Sequence, residues 1–124
     1  SSATSSDLAI SSITELNKRD APSNPMMLIT VQFVMSDRIK DTSKMIRFEK
    51  LNPLNSRFEL DFNAGPGTFE LVSGTTYKFN SLVPLNGQTQ TFRIVAQLND
   101  EDSLPSARFD KAISQSAFKK GVVI

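Results

Sequence analysis

The sequence predicts an all-β protein, a two-sheet antiparallel β-sandwich of seven or eight strands with one short helix on a connection. Short apolar segments recur along the chain at intervals of about 8–12 residues, as in sandwich domains. Within RFELDF, Phe58, Leu60 and Phe62 alternate with charged residues, which is typical of a half-buried strand. Asn86-Gly87 is a strong signal for a hairpin turn between two strands.

Eight segments have the composition or alternation of strands. MMLITVQFVM (26–35) and TQTFRIVAQL (89–98) are rich in β-branched and aromatic residues, so we expect both at the centres of sheets. The other predicted strands cover 7–14, 57–62, 68–72, 75–83, 107–113 and 118–124.

One segment has a different period. In DTSKMIRFEKL (41–51), an apolar residue recurs every third position, at Met45, Phe48 and Leu51. Asp41 or Thr42 could cap a helix there, and a proline follows two residues after the segment. The pattern predicts the short helix over 41–51.

The chain length is that of one domain. A chain of 124 residues can bury roughly two thirds of its unfolded surface without a metal or disulfide. Residues 1–6 are Ser, Ala and Thr, which is the composition of a flexible tether, and residues 7–124 form the predicted single sandwich.

The composition excludes several classes of function. The chain has no His and no Cys, which excludes Ser-His-Asp and Cys-His nucleophile arrangements and His/Cys zinc sites. Its 14 basic and 13 acidic residues are interspersed, so nucleic acid is not an expected partner. No apolar run approaches the roughly 20 residues of a membrane-spanning helix. We therefore expect no enzymatic activity, no cofactor and no metal, and a binding or scaffolding role.

The best candidate binding site in the sequence is a predicted long loop over 15–25. Loops carried on a rigid sandwich often make recognition contacts, and two prolines would stiffen this one, lowering the cost of ordering it. A solvated charged tip is an equally good interpretation of its centre. The candidate partner-binding residues are Asn17, Lys18, Arg19, Asp20 and Asn24.

Three other motifs favour ordinary structural roles. Asp100-Glu101-Asp102 lacks the spaced oxygen ligands of a calcium loop, so a solvated turn is favoured over a cation site. NAGPG (63–67) is followed by neither the lysine nor the helix of a phosphate loop, so we expect a turn. SAFK (116–119) matches S-x-x-K, but the companion motifs of that catalytic site are missing.

The order of features resembles the TssJ family, the small outer-membrane lipoproteins of type VI secretion systems. The resemblance lies in the turn LVSGT (71–75), the apolar strand IVA (94–96) followed by Asp100, and the aromatic Phe109 after Ala107-Arg108. The stretch LNKRDAPSNPMMLITVQFVMSD is similar to the family's asparagine-containing loop and the strand after it. Phe109 stands where family members usually carry Trp, so the chain resembles a divergent version of the family, such as the IglE-type lipoproteins of pathogenicity-island secretion systems.

The resemblance implies a non-enzymatic scaffold with a role in virulence. Members are anchored in the outer membrane through an acylated cysteine, which here would precede Ser1, and their sandwich lies in the periplasm. There they bind the large inner-membrane subunit, TssM, and so join a membrane complex to both membranes. By position, the loop over 15–25 would make this contact.

Two further hypotheses stay open. The chain could be an immunoglobulin-like binding module of a larger extracellular or cell-surface protein, for which DLAISSI would suit a first strand. It could also be a small hydrolase that uses Glu59 and Asp61 as paired carboxylates, about 7 Å apart along one strand.

Overall fold

The computed structural model describes residues 2–19 and 25–113, except for the side chains of residues 18 and 19. This part of the chain contains nine strand segments, one α-helix and one 3-10 turn. Their bounds are β1 Leu8–Arg19, β2 Met26–Met35, α1 Asp37–Thr42, β3 Ser43–Asn52, β4 Arg57–Ala64, the 3-10 turn Pro66–Thr68, β5 Glu70–Ser73, β6 Thr76–Pro84, β7 Thr89–Leu98, β8 Ser103–Pro105 and β9 Phe109–Ala112.

The strands form two antiparallel sheets, so the predicted β-sandwich is confirmed. The first sheet has the order β1-β2-β6-β5, and the second has the order β4-β3-β7 with β8 and β9 both beside β7. β8 pairs with residues 95–97 of β7 and β9 with residues 89–92, so together they act as one edge strand that is interrupted at 106–108. The segments 26–35 and 89–98 are strands with the predicted bounds, and each lies inside its sheet.

This strand order is that of an immunoglobulin-type Greek key. In the constant-type sandwich, strands A, B, E and D form one sheet and strands C, F and G form the other. Here β1, β2, β6 and β5 occupy the A, B, E and D positions, β3 and β7 occupy C and F, and β8 with β9 occupies G. β4 is an additional strand beside C.

An aromatic cluster joins the two sheets in the core. Phe79 on the first sheet contacts Phe48 of the second sheet edge-on, with ring centroids 5.2 Å apart. Phe79 also stacks on Phe62 of β4 at 5.0 Å and meets Phe33 at 5.8 Å. Four of the phenylalanines predicted to pack in the core do so, namely Phe33, Phe62, Phe79 and Phe92, whereas Phe58 does not.

The predicted helix over 41–51 is wrong in position. Helix α1 ends at Thr42, and Ser43–Asn52 is strand β3, which pairs with β4 on one side and β7 on the other. Ser36 caps the helix, because its hydroxyl accepts a hydrogen bond from the Ile39 N–H at 3.3 Å. In β3, Ile46 and Phe48 are buried at alternate positions. Two flanking strands override the weak three-residue period of this segment.

The predicted inward direction of Phe58 and Leu60 is also wrong. Phe62 pairs with Phe48 and Leu60 pairs with Glu49, so Asp61 is an extra residue in a β-bulge. The bulge reverses the side-chain parity before it, which leaves Phe62 on the core and places Leu60, more than half exposed, on the outer face.

The first strand is longer than predicted. β1 runs from Leu8 to Arg19, so residues 15–19 of the predicted loop are paired with β2. It contains bulges at Ser11 and Leu16, and both of these residues are exposed. At the chain start, the Ala3 N–H donates to the Pro105 carbonyl at 2.7 Å, so contact with the sandwich begins inside the predicted tether.

A polar cluster fastens the start of β1 to helix α1. Arg38 Nη2 donates to one Asp7 oxygen at 2.6 Å, and the Ser36 hydroxyl donates to the other at 2.8 Å. These two bonds, the Arg38 bond above all, hold the pKa of Asp7 below its ordinary value of 3.8.

We expect this cluster to make stability pH-dependent in acid. Because the folded-state pKa of Asp7 is below that of the unfolded chain, its stabilisation is complete above the unfolded pKa of 3.8 and is lost as pH falls through the folded-state pKa. Urea unfolding of the wild type and Asp7→Asn should therefore show a gap at neutral pH that shrinks below pH 3.8. Asp41→Asn, an exposed site on the same helix, is the control. A gap that stays constant into acid would contradict this expectation.

Candidate protein-binding face

The outer face of the second sheet carries a cluster of charged side chains around one buried carboxylate. Glu49 on β3 lies opposite Arg93 on β7, and Arg47 lies two positions before it on the same face. We call the group Arg47, Glu49, Phe58, Arg93 and Arg108 the arginine face. Its residues come from β3, β4, β7 and the break between β8 and β9.

Glu49 holds two arginines in place at once. Arg93 Nε donates to Glu49 Oε1 at 2.8 Å, and Arg47 Nε donates to Glu49 Oε2 at 3.1 Å. The Glu49 side chain is 9% exposed, whereas those of Arg47 and Arg93 are 26% and 28% exposed. The carboxylate is therefore paired within the cluster, while both arginine side chains remain partly exposed.

A hydrogen-bonded chain continues from this pair toward the loop after β7. Arg47 Nη1 donates to Gln97 Oε1 at 2.8 Å, and Gln97 Nε2 donates to the Glu101 carbonyl at 2.9 Å. Beneath this layer, Val95 is 1% exposed, although it alternates with the inward-facing Ile94 and Ala96. The hydrogen-bonded side chains of this layer therefore cover an apolar residue and are held in place by one another.

Phe58 adds an aromatic surface to the face. The Arg93 guanidinium carbon lies 4.0 Å from the Phe58 ring centroid, and that of Arg108 lies 5.2 Å from it. Both distances are within the range of a cation–π contact. The bulge at Asp61 reverses the parity of β4 and so brings Phe58 to this outer face, next to the exposed Leu60.

The face has an excess of positive charge. Within the arginine face three guanidinium groups accompany one carboxylate, and Asp110, bonded to Thr91 on the same side of the sheet, offsets one of the two remaining charges. Arginine forks match carboxylate geometry in a bidentate manner, and here the planes are oriented in advance by Glu49 and Phe58. The arrangement is suited to receive acidic side chains beside an apolar contact.

Three of the five loop residues that the sequence favoured lie on strand β1. Asn17 is an exposed residue of β1 paired with Leu28, and the backbones of Lys18 and Arg19 also pair with β2. Asp20 and Asn24 lie outside the described residues, as does the SAFK motif.

The acidic segment after β7 forms a turn. Asp100 Oδ1 accepts from the Asp102 N–H at 3.0 Å, and Glu101 pairs with Lys44 at 2.8 Å. Among the described residues, no group of three or more acidic, His or Cys side chains could hold a metal ion. In the same part of the chain, no helix is long and apolar enough to cross a membrane.

The two carboxylates of the hydrolase hypothesis have separate partners. Glu59 accepts from Asn52 Nδ2 at 3.0 Å, whereas Asp61 accepts from the Ser81 hydroxyl of the other sheet at 2.9 Å. Partial burial raises the pKa of Asp61, and the bond from Ser81 opposes that shift. Because the bulge turns Asp61 toward β6, the pair does not share a hydrogen-bonding partner.

The arginine face could not be predicted from the sequence as long as residues 41–51 were assigned to a helix. On a helix, Arg47 and Glu49 would face different directions, whereas on a strand they share one face. The alternation of Ile46 and Phe48 with Arg47 and Glu49 was the available signal. The part played by Arg93 needed the register between β3 and β7 as well.

Comparisons with protein-family models, with curated proteins and with solved structures find no match to this chain.

Proposed function

We propose that this chain is a non-enzymatic protein-binding module that contacts its partner through the arginine face. The observation that carries the proposal is the double engagement of Glu49, which orients Arg47 and Arg93 while both side chains stay about a quarter exposed. Side chains that are already ordered lose less entropy on binding than free surface arginines would.

The composition of the face favours a protein surface over a small molecule. Arginine and aromatic residues are enriched at protein interfaces, and the face combines three arginines with Phe58 and the exposed Leu60. The excess positive charge favours a partner patch rich in Asp and Glu. Immunoglobulin-type sandwiches serve many functions, so the strand order supports a binding module without selecting the partner.

More specifically, we propose the role that the TssJ-like sequence order implies. In this role the sandwich is a periplasmic scaffold, held at the outer membrane by a lipid on a cysteine before Ser1, and its partner is the inner-membrane TssM-like subunit. Mass spectrometry of the protein isolated from its native envelope tests the anchor directly. An acylated N-terminal cysteine supports this role, and a processed form with no lipid contradicts it.

Charge reversal at the edge of the face tests the binding proposal. Arg108 is exposed and makes no ion pair among the described residues, so Arg108→Glu should leave the fold intact. Against the purified periplasmic region of the TssM-like subunit, we expect it to raise Kd by on the order of tenfold, equivalent to about 1.4 kcal/mol. Surface plasmon resonance at two salt concentrations would measure the change.

The reversal Arg19→Glu with Asp20→Lys is the matched variant for the loop predicted from the sequence. Binding that is weakened by Arg108→Glu and not by the loop reversal places the contact on the arginine face. The opposite result would return the site to the loop, and equal affinity for all three proteins would sink both assignments.

A further inference from the structure

On the side away from β2, strand β6 is paired with another strand over only a third of its length. β2 pairs with β6 from Thr76 through Pro84, whereas β5 pairs with it only at Thr76, Tyr77 and Lys78. Among the described strands, none pairs with the segment 79–84 on the β5 side. We call this segment the open edge.

The hydrogen-bonding direction along β6 follows from its two ends. The Thr75 carbonyl accepts from the Met35 N–H at 2.9 Å, and the Leu85 N–H donates to the Pro25 carbonyl at 3.1 Å. Backbone groups of a strand point alternately to its two sides, so odd-numbered residues from 75 to 85 bond toward β2. The backbone N–H and C=O groups of Asn80 and Leu82 therefore point to the open side.

A groove of about 530 Å³ lies where β5 stops. Its lining includes the rings of Phe62, Phe69 and Phe79, together with Thr68 and Asn80. The Phe69 and Phe79 centroids are 5.5 Å apart, so the floor is a continuous aromatic surface. Phe69 is extended and lies opposite Phe79, and the 3-10 turn Pro66–Thr68 precedes it, so the position in line with β5 is empty of strand from Asn80 onward.

The open edge lacks the irregularities that the outer strands show. β1 has two bulges, β5 has four residues and a bulge, and β8 and β9 form an interrupted strand. Bulges, short strands and prolines are usual means of preventing strand addition, and the open edge has one of these, Pro84 at its end. Two contacts link the open edge to β4, the bond from Ser81 to Asp61 and the stacking of Phe79 on Phe62.

We propose that the open edge binds an extended segment of a partner protein as an added β-strand in line with β5. Unpaired backbone groups are satisfied by another backbone, which selects an extended peptide over other ligands. This site lies on the first sheet and adds to the arginine face of the second sheet.

The groove also specifies the side chains of the added strand. The position opposite Phe79 is already that of Phe69, so the added strand begins opposite Asn80, where its side chain would point outward and be polar. The next inward position meets the Asp61–Ser81 bond and requires a small side chain.

Selection from a displayed library of random dodecapeptides tests the proposal. Leu82→Pro removes one outward N–H and is tolerated at an edge, because that N–H bonds to no strand. Val72→Pro is the matched control, since Val72 is 43% exposed against 42% for Leu82 and lies unpaired at the β5 bulge. Amide hydrogen exchange of the wild type with each selected peptide provides a second readout that needs no variant.

We expect enriched peptides in which polar residues alternate with small or apolar ones. They should bind the wild type and Val72→Pro, and bind Leu82→Pro at least tenfold more weakly. Bound peptide should slow exchange at the amides of Asn80 and Leu82, which exchange faster than those of Phe79 and Ser81 in the free protein. Failure to enrich any peptide would overturn the proposal, as would peptides that leave the Asn80 and Leu82 amides exchanging freely.

A dimer of this chain that Leu82→Pro abolishes would show that the open edge binds a second copy of the chain, which would contradict the proposed partner. Arg108→Glu should not affect these peptides, so this outcome is independent of the arginine face.

Discussion

Replacing Phe48 by Ala is expected to destabilise the fold by about 3–5 kcal/mol, a large share of the stability of a domain of this size. Phe48 is 1% exposed, stacks on Phe92 at 5.2 Å and meets Phe79 of the other sheet at the same distance. The substitution removes a ring from the point where the two sheets meet. Partial collapse of the surrounding side chains cannot refill the space that the ring leaves.

Urea unfolding followed by fluorescence or circular dichroism would measure this loss. Leu54→Ala is the control, because Leu54 is 94% exposed and its truncation should change the free energy of unfolding by less than about 0.5 kcal/mol. If Phe48→Ala cost no more than Leu54→Ala, the packing of the two sheets against each other described above would be incorrect.

Replacing Glu49 by Ala is the substitution with the second largest expected effect, about 2–3 kcal/mol. It leaves Arg47 and Arg93 without their shared carboxylate and places two like charges side by side over Val95. Removing one partner of a fully buried pair costs roughly 3–5 kcal/mol. The smaller value reflects the partial exposure of both arginine side chains to solvent.

A double-mutant cycle between Glu49→Ala and Arg93→Ala would isolate this interaction from the effect of truncation alone. We expect a coupling free energy of about 1 kcal/mol or more, and a salt dependence weaker than that of an exposed pair. Glu59→Ala, on the exposed part of β4, is the control. Coupling near zero would show that Glu49 does not orient Arg93.

The sequence was sufficient for the parts of the fold in which local pattern and tertiary role agree. The segments 26–35 and 89–98 have high β-propensity along their whole length, and both are interior strands with the predicted bounds. The turn at Gly74 has the positive φ of +56° that glycine readily adopts, and it joins β5 to β6. The fold class follows from these elements.

The sequence was insufficient where pairing decides the structure. Residues 43–52 have apolar residues at both helical and strand spacings, and the two flanking strands select the strand. The bulge at Asp61 has no sequence signal of its own, yet it determines which face carries Phe58 and Leu60. Glu49 and Arg93 are 44 positions apart and meet only through the register of β3 with β7.

The irregular outer strands also determine how far assembly through the sheets could proceed. In polymer chemistry, a monomer with one reactive end forms a capped pair, whereas growth needs two reactive ends. Bulges at Ser11 and Leu16 spoil the long β1 edge as a template, while the segment 79–84 stays regular. The first sheet therefore has one edge suited to strand addition and one that is not. A strand received at β6 would complete the sheet and not begin a fibre.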